Sequence, residues 1–249
     1  MIDIHTHILP GLDDGAEEIF DTLEMAAMAY ENGTTAIIAT PHCNIPGVYD
    51  NYFGERYLKV FRYVKSVLER EKIPIHLMPG MEAFAAPNLP ELLQNKQIMT
   101  LNGTRYLLVE FDFEEDPDYV EWMLSELVEL RAVPVVAHAE RYRFVQERPQ
   151  CVYAWKEKGA RVQVNKGSFL GRFGTRAEKA AYYLLDQGLI TVVASDAHGT
   201  RRRTPEMREV YEELLGMYSR RYLDHLFCVN PQQICQGKPT MNYRSRKHK

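Results

Sequence analysis

Cysteine is scarce in this chain of 249 residues. Cys43, Cys151, Cys228 and Cys235 lie far apart, and no two form a C-x-x-C pair. That excludes a zinc ribbon and a disulfide framework, and it fits a reducing compartment. There is no apolar run of about 18 residues and no basic-then-apolar leader, so neither membrane insertion nor export is expected. Nor is there an excess of basic charge: 30 Lys and Arg face 34 Asp and Glu, a net charge of −4. Without a basic field, nucleic acid is an unexpected partner. The expected location is the cytoplasm. A chain of this length buries a substantial core unaided, so a metal here is expected to serve chemistry rather than folding.

What is present is a regular alternation of β-rich runs and amphipathic helical stretches. Strands are expected over 2–8, 35–40, 74–80, 105–111, 133–138, 161–165 and 190–196, most of them dense in apolar and β-branched residues as in parallel strands covered on both faces. Between them Ile19, Leu23, Ala26, Ala27 and Tyr30 share one helical face, ended by Asn32-Gly33. Asp116-Pro117 caps a helix through Val120, Leu124, Leu127 and Leu130, and Ala177, Ala181, Leu184 and Leu185 mark another before Gly188. Helices are also expected near 54–71, near 149–158 and from Thr204-Pro205. Seven β→α units without a break in composition point to one α/β domain over 1–237, barrel-like rather than an open doubly wound sheet. Residues 238–249 read as a loose basic tail.

Metal-ligating residue types gather at the ends of six of these seven strands. His5 and His7 stand two apart, which in a strand turns both to one face. His42 follows the second strand and Glu82 the third. Glu110 ends the fourth and His138 the fifth, while Asp196 and His198 repeat the two-residue spacing after the seventh. In a parallel barrel these ends meet at one rim, the rim that carries the chemistry of such folds. Mixed imidazole and carboxylate donors suit zinc, manganese or iron. They are too many for one ion with an open position, so a two- or three-metal centre is expected, of the kind that generates hydroxide and clamps a phosphoryl or acyl transition state.

Other residues on the same rim are open to two readings. Asp13-Asp14 adds a carboxylate to the site or makes an Asp-Gly turn. Arg141 and the run Arg201-Arg202-Arg203 either grip phosphate or are solvated. The stretch 43–53 reads as a lid, with Tyr49, Tyr52 and Phe53 facing a substrate or packing beneath the loop. His76, His225 and His248 lie off the strand ends and read as structural or solvated.

The stretches MIDIHTHILPGLDDGA, AIIATPHCN, PGMEAF, LLVEF, VVAHAERY and VVASDAHG, in this order, resemble the PHP (polymerase and histidinol phosphatase) superfamily. They are most similar to its protein-tyrosine phosphatases from Gram-positive capsule and exopolysaccharide loci, over residues 1 to about 235. The resemblance implies a distorted TIM-like (β/α)7 barrel with three divalent ions, manganese foremost, with zinc or iron as alternatives. It implies one ion on His5, His7, Glu82 and Asp196. A second is implied on Glu110 and His138 with Glu82 as bridge, and a third on His42, His198 and Asp14. Arg141 and Arg203 are implied as phosphate holders. The implied partner is the phosphotyrosine-bearing tail of a bacterial tyrosine kinase that controls polysaccharide synthesis.

Three rivals remain at this point. A cysteine phosphatase needs an arginine six residues after its nucleophile, but those positions hold Tyr49, Glu157, Ile234 and Met241. A phosphatase of a small metabolite such as histidinol phosphate shares fold and metals with the implied enzyme. A metal-stabilised scaffold needs only four ligands, which the surplus of donors argues against.

Overall fold

The computed structural model describes residues 1–243. Nine strands are present: β1 (Ile2–Thr6), β2 (Ala36–Ala39), β3 (His42–Cys43), β4 (His76–Pro79), β5 (Glu82–Phe84), β6 (Tyr106–Glu110), β7 (Val133–Val136), β8 (Arg161–Asn165) and β9 (Val192–Ala194). All their pairings are parallel, in the orders β1-β2-β4 and β3-β5-β6-β7-β8-β9. Beyond two of the expected strands, 35–40 and 74–80, a short further strand resumes after a break, β3 after Thr40-Pro41 and β5 after Gly80-Met81. The proline at the first break lacks the N–H a continuous ladder would need. With β2/β3 and β4/β5 each counted once there are seven strand positions, and a bridge between Thr6 and Ala197 brings the last back to the first. The fold is thus the distorted (β/α)7 barrel expected, rather than an open doubly wound sheet, over the described residues.

Alternation along the strands sorts side chains between two cores. Leu107, Val109, Val136 and Val193 pack outward under the helices, whereas Ile4, Ile38, Met78, Tyr106, Leu108, Val135 and Val192 form a second cluster inside the barrel. Glu110 shares the inner face of β6 with Tyr106 and Leu108, which sends its carboxylate to the barrel mouth.

The principal outer helices are α1 (Ile19–Glu31), α2 (Glu55–Arg70), α3 (Leu89–Gln94), α4 (Pro117–Glu129) and α5 (Arg143–Glu147). They are followed by α6 (Val152–Glu157), the short α7 (Lys166–Phe169), α8 (Thr175–Asp186) and α9 (Arg208–Leu215). The cap at Asp116 forms as expected, its carboxylate accepting from the Asp118 N–H at 2.8 Å. Thr204-Pro205 does not open a helix. The Thr204 hydroxyl is engaged by Lys166 and Glu206 instead, and α9 starts at Arg208. No helix among the described residues is long and apolar enough to cross a membrane.

The start of the expected tail is tied down. Tyr106 donates to the Lys238 carbonyl at 2.7 Å, Met241 N–H donates to Asn230 at 2.9 Å, and Tyr243 packs 4.7 Å from the His225 ring. Residues 244–249, including His248, lie outside the described residues.

Candidate metal centre

All nine expected donors converge at the C-terminal mouth of the barrel. His5 Nε2, His7 Nε2, Glu82 Oε2 and Asp196 Oδ1 make the tightest group, on side chains that are essentially fully buried. Five of its edges measure 3.1, 3.1, 3.2, 3.4 and 3.5 Å. Four tetrahedral donors at about 2.0–2.1 Å from an ion stand about 3.3–3.4 Å apart, so these four atoms already outline a coordination tetrahedron.

A second group forms where β3, β5 and β6 run side by side, with His42 in register with Glu82 and Phe84 with Glu110. His138 Nε2 lies 3.0 Å from Glu82 Oε1 and 3.6 Å from Glu110 Oε2. Glu82 therefore offers one oxygen to each group, the arrangement a bridging carboxylate requires. In the third group Asp14 Oδ1 stands 3.5 Å from His42 Nε2 and 3.4 Å from His198 Nε2. His42 faces two ways, since its Nδ1 is 2.9 Å from Glu110 and 3.1 Å from Glu82.

Buried polar atoms normally find hydrogen-bond partners. Here Glu82 Oε2, Glu110 Oε1, Asp196 Oδ1, His42 Nδ1 and His198 Nε2 make no hydrogen bond and meet only one another and the other donors of the cluster, at ion-pair distance. Five unsatisfied atoms aimed into one small volume fit divalent cations as their missing partners.

Electrostatics reinforce that reading. Burial alone would lower the His5 imidazole, but Glu82 and Asp196 overcome it and raise it to about 9. His42 behaves alike, with Glu82 and Glu110 raising it to about 10 against burial. Burial would raise Asp196, yet His5 and Arg203 hold its carboxyl far below the usual range. His198 is pushed down to about 4 by burial and by His7, which leaves it neutral and able to donate a lone pair. His138 and Asp196 both adopt left-handed backbone, at φ 33° and 52°. Non-glycine residues in this region are strained, and such strain clusters at functional sites.

The strand that supplies no donor supplies support. From β8, Gln163 Oε1 meets His5 Nδ1 at 3.0 Å and accepts from the His138 N–H at 2.8 Å. Gln163 also donates to Asn165, which donates to Asp196 Oδ2 at 2.6 Å. Sequence reasoning missed both residues. Asp13 and Asp14 divide the two readings of their pair between them. Asp14 faces the histidines, whereas Asp13 bonds His7 Nδ1 at 2.6 Å and caps the Gly15 N–H at 3.0 Å. Gly15 has no room for a side chain, because a Cβ there would lie 2.1 Å from the His7 carbonyl oxygen.

Over the centre lies a cleft of ≈ 320 Å³ lined by Tyr49, Phe111, Phe113, His138, Arg141 and Arg203, among others. Arg203 contacts Asp196 Oδ2 and donates to its carbonyl at 3.2 Å, and Arg141 reaches the same carboxylate at 3.6 Å. Arg201 and Arg202 are exposed. Of the three aromatics in the expected lid only Tyr49 lines the cleft, stacked 5.5 Å from His42; Tyr52 and Phe53 pack against the core. That loop is pinned rather than loose, since Asn51 donates to the Leu12 and His42 carbonyls.

A parallel barrel with this donor set at its C-terminal mouth and two arginines above it defines the class, a metal-dependent hydrolase of the barrel type. The family model for capsular polysaccharide synthesis, CpsB/CapC, matches residues 1–236, and the chain belongs to that family. It is 40% identical over 219 residues to the tyrosine-protein phosphatase YwqE of Bacillus subtilis, covering 87% of this chain and 85% of that one. Identity to the tyrosine-protein phosphatase CpsB of Streptococcus pneumoniae is 31% over 242 residues, covering 94% and 98%. A solved structure from work on these two proteins, described as metal-dependent tyrosine phosphatases, aligns over 100% of both chains with TM-score 0.89 and 35% identity.

Proposed function

We propose that this chain is a metal-dependent protein-tyrosine phosphatase. The observation that carries the proposal is the set of buried, unpartnered donor atoms beneath two guanidinium groups, and the relatives' names supply the substrate class. Three divalent ions are assigned, manganese foremost. The first is assigned to His5, His7, Glu82 and Asp196, the second to Glu82, Glu110 and His138, and the third to Asp14, His42 and His198. When bound, such ions neutralise phosphoryl charge and lower the pKa of water.

The chain's own residues do the rest. Arg141 and Arg203 present planar donor forks to the phosphate oxygens and oppose the charge that develops on them. Tyr49, Phe111 and Phe113 wall a space suited to an aromatic ring. Asp13 and Gln163 hold His7 and His5 by Nδ1, leaving each Nε2 for the centre. A phenolate leaving group has a pKa of about 10, so no general acid is assigned. The physiological partner is assigned as the phosphorylated tail of a bacterial tyrosine kinase controlling capsule or exopolysaccharide assembly, in the cytoplasm.

The test is hydrolysis of a phosphotyrosyl peptide after chelation and readdition of manganese, zinc or iron, with elemental analysis of the protein as purified. Loss on chelation and recovery with metal is expected. A higher kcat/KM for histidinol phosphate than for the peptide would refute the tyrosine reading.

A further inference from the structure

Arg203 lines a second pocket besides the cleft. This pocket, of ≈ 440 Å³, is bounded by Lys166, Gly167, Arg172, Phe173, Ser195, Arg202 and Arg203. Four of these carry positive charge and none carries negative charge. The nearby carboxylates are already engaged: Glu209 pairs with Arg172 at 2.9 Å, Glu206 accepts from Thr204 at 3.0 Å, Asp196 lies on Arg203, and buried Asp3 accepts from the Thr6 hydroxyl at 2.8 Å and the Ser195 N–H at 3.1 Å. Nothing assigned to the metal centre uses Lys166, Arg172 or Arg202.

We propose that this pocket is a second phosphate-binding site, taking a phosphomonoester borne by the same substrate chain as the scissile phosphotyrosine. The proposal rests on the tyrosine-phosphatase reading. Lys166 is its anchor. The side chain is 1% exposed, and its ammonium donates to the Thr204 hydroxyl at 3.2 Å and the Glu206 carbonyl at 2.6 Å. Its third donor has no hydrogen-bond partner among the described residues. Burying an ammonium is costly, and burial together with Arg172 pushes Lys166 down to about 8 although Glu206, Asp3 and Glu209 pull the other way. A dianion in the pocket adds the negative charge that those carboxylates leave insufficient against burial and Arg172. The Arg172–Glu209 pair is partly exposed, and a ligand can compete with such a pair.

The spacing suits a neighbour on the same chain. Side chains two apart in an extended peptide share a face about 6.6–6.8 Å apart, and the two pockets adjoin at Arg203, which lines both. Phe173 is the wall on one side, carrying Arg141 on its ring at 4.5 Å. Gly167 makes room for that wall, because a Cβ there would meet the Phe173 ring at 2.9 Å.

The experiment compares two peptides of one sequence, phosphorylated at two tyrosines two residues apart or at the first alone. Each is assayed on the metal-loaded wild type, Arg172→Gln and Lys166→Gln. For wild type we expect KM about tenfold lower for the doubly phosphorylated peptide, as one added charge-assisted contact would give. Both variants should lose that preference while keeping kcat on the singly phosphorylated peptide. Should Lys166→Gln fail to fold, Arg172→Gln, at a partly exposed position, carries the comparison. Equal KM values on wild type overturn the proposal. Inorganic phosphate is titrated in parallel. Equal KM values, with noncompetitive phosphate inhibition that Arg172→Gln abolishes, would assign the pocket to free phosphate and overturn a substrate-borne ligand. If neither peptide is turned over, the phosphatase reading fails separately. Fluorescence anisotropy of the same peptides then still reads the pocket, with equal affinities overturning it.

Discussion

Asp13 Oδ2 sits 2.6 Å from His7 Nδ1 and accepts from the His42 N–H at 2.8 Å, so one carboxylate positions two of the candidate metal donors. Imidazole ligands held this way are fixed in tautomer and orientation, and loss of such a partner costs about 10- to 100-fold in metal affinity. Asp13→Asn is therefore expected to raise the manganese concentration for half-maximal activity by about that factor, with little change in kcat at saturating metal. Isothermal titration with manganese checks it directly. An unchanged affinity would reduce Asp13 to a turn residue capping Gly15.

The outline of the centre was legible because its donors are local to strand ends. Six of the seven expected strands carried donors, most of them at or just after the last residue, and parallel topology did the gathering. Its supports were not legible. In β8 the polar residues Arg161, Gln163 and Asn165 alternate with Val162 and Val164 and carry no metal-ligating type, yet Gln163 and Asn165 are fully buried and point inward. The partner of Gln163 is His5, 158 residues away, and no pattern within the strand encodes that. The short strands β3 and β5, which resume after the breaks at Thr40-Pro41 and Gly80-Met81, were not legible either, because two or three residues carry no period. Thr204-Pro205 misled because a good helix-start pair was used instead to hold Lys166 and Glu206.

Chelated protein should lose stability as pH rises from 6.5 to 8, before loss of the proton from buried Lys156 and Lys166, both lowered to about 8, opposes the trend. His5 and His42 are raised in the fold to about 9 and about 10 from an ordinary 6.5, by Glu82 with Asp196 and Glu110 respectively, against the pull of burial. Protonated imidazole thus contributes stability that is fully present below 6.5 and is lost as pH climbs through those values. His198, pushed down to about 4, adds no slope above 6.5. Melting temperature in excess chelator should fall across this window, by about 2–4 °C for each kcal/mol lost. Manganese should flatten the slope, because cations take over the role of the protons. A flat profile in chelator would contradict the charge assignment.

Cys43 adjoins His42 but is no nucleophile. It is fully buried, and burial, with Asp50 adding to it, pushes the thiol up to about 12. Thiolate chemistry calls for the opposite shift. Cys43→Ser should keep most of its activity on a phosphotyrosyl peptide, whereas His5→Ala and Glu82→Ala should fall to background. A dead Cys43→Ser enzyme with full metal content would sink the metal mechanism.

Arg141 is held over the cleft by stacking rather than by a strong ion pair. Its guanidinium lies 4.3 Å from the Phe113 ring centroid and 4.5 Å from that of Phe173, while its contact with Asp196 is 3.6 Å. A flat cation between two rings keeps its edge, and so its paired donors, turned to the cleft. Lysine keeps the charge but offers neither the plane nor the fork. Arg141→Lys is therefore expected to lower kcat by about 10²–10³, the usual cost of one preorganised donor to developing oxyanion charge, with metal content unchanged. Phe113→Leu removes one stacking face and leaves the fork intact. Its loss should be smaller and should appear mainly in KM, since Phe113 also lines the space assigned to the substrate ring. Steady-state kinetics on a phosphotyrosyl peptide with parallel metal analysis separates the cases. If Arg141→Lys were as active as wild type, phosphate binding would fall to Arg203 alone.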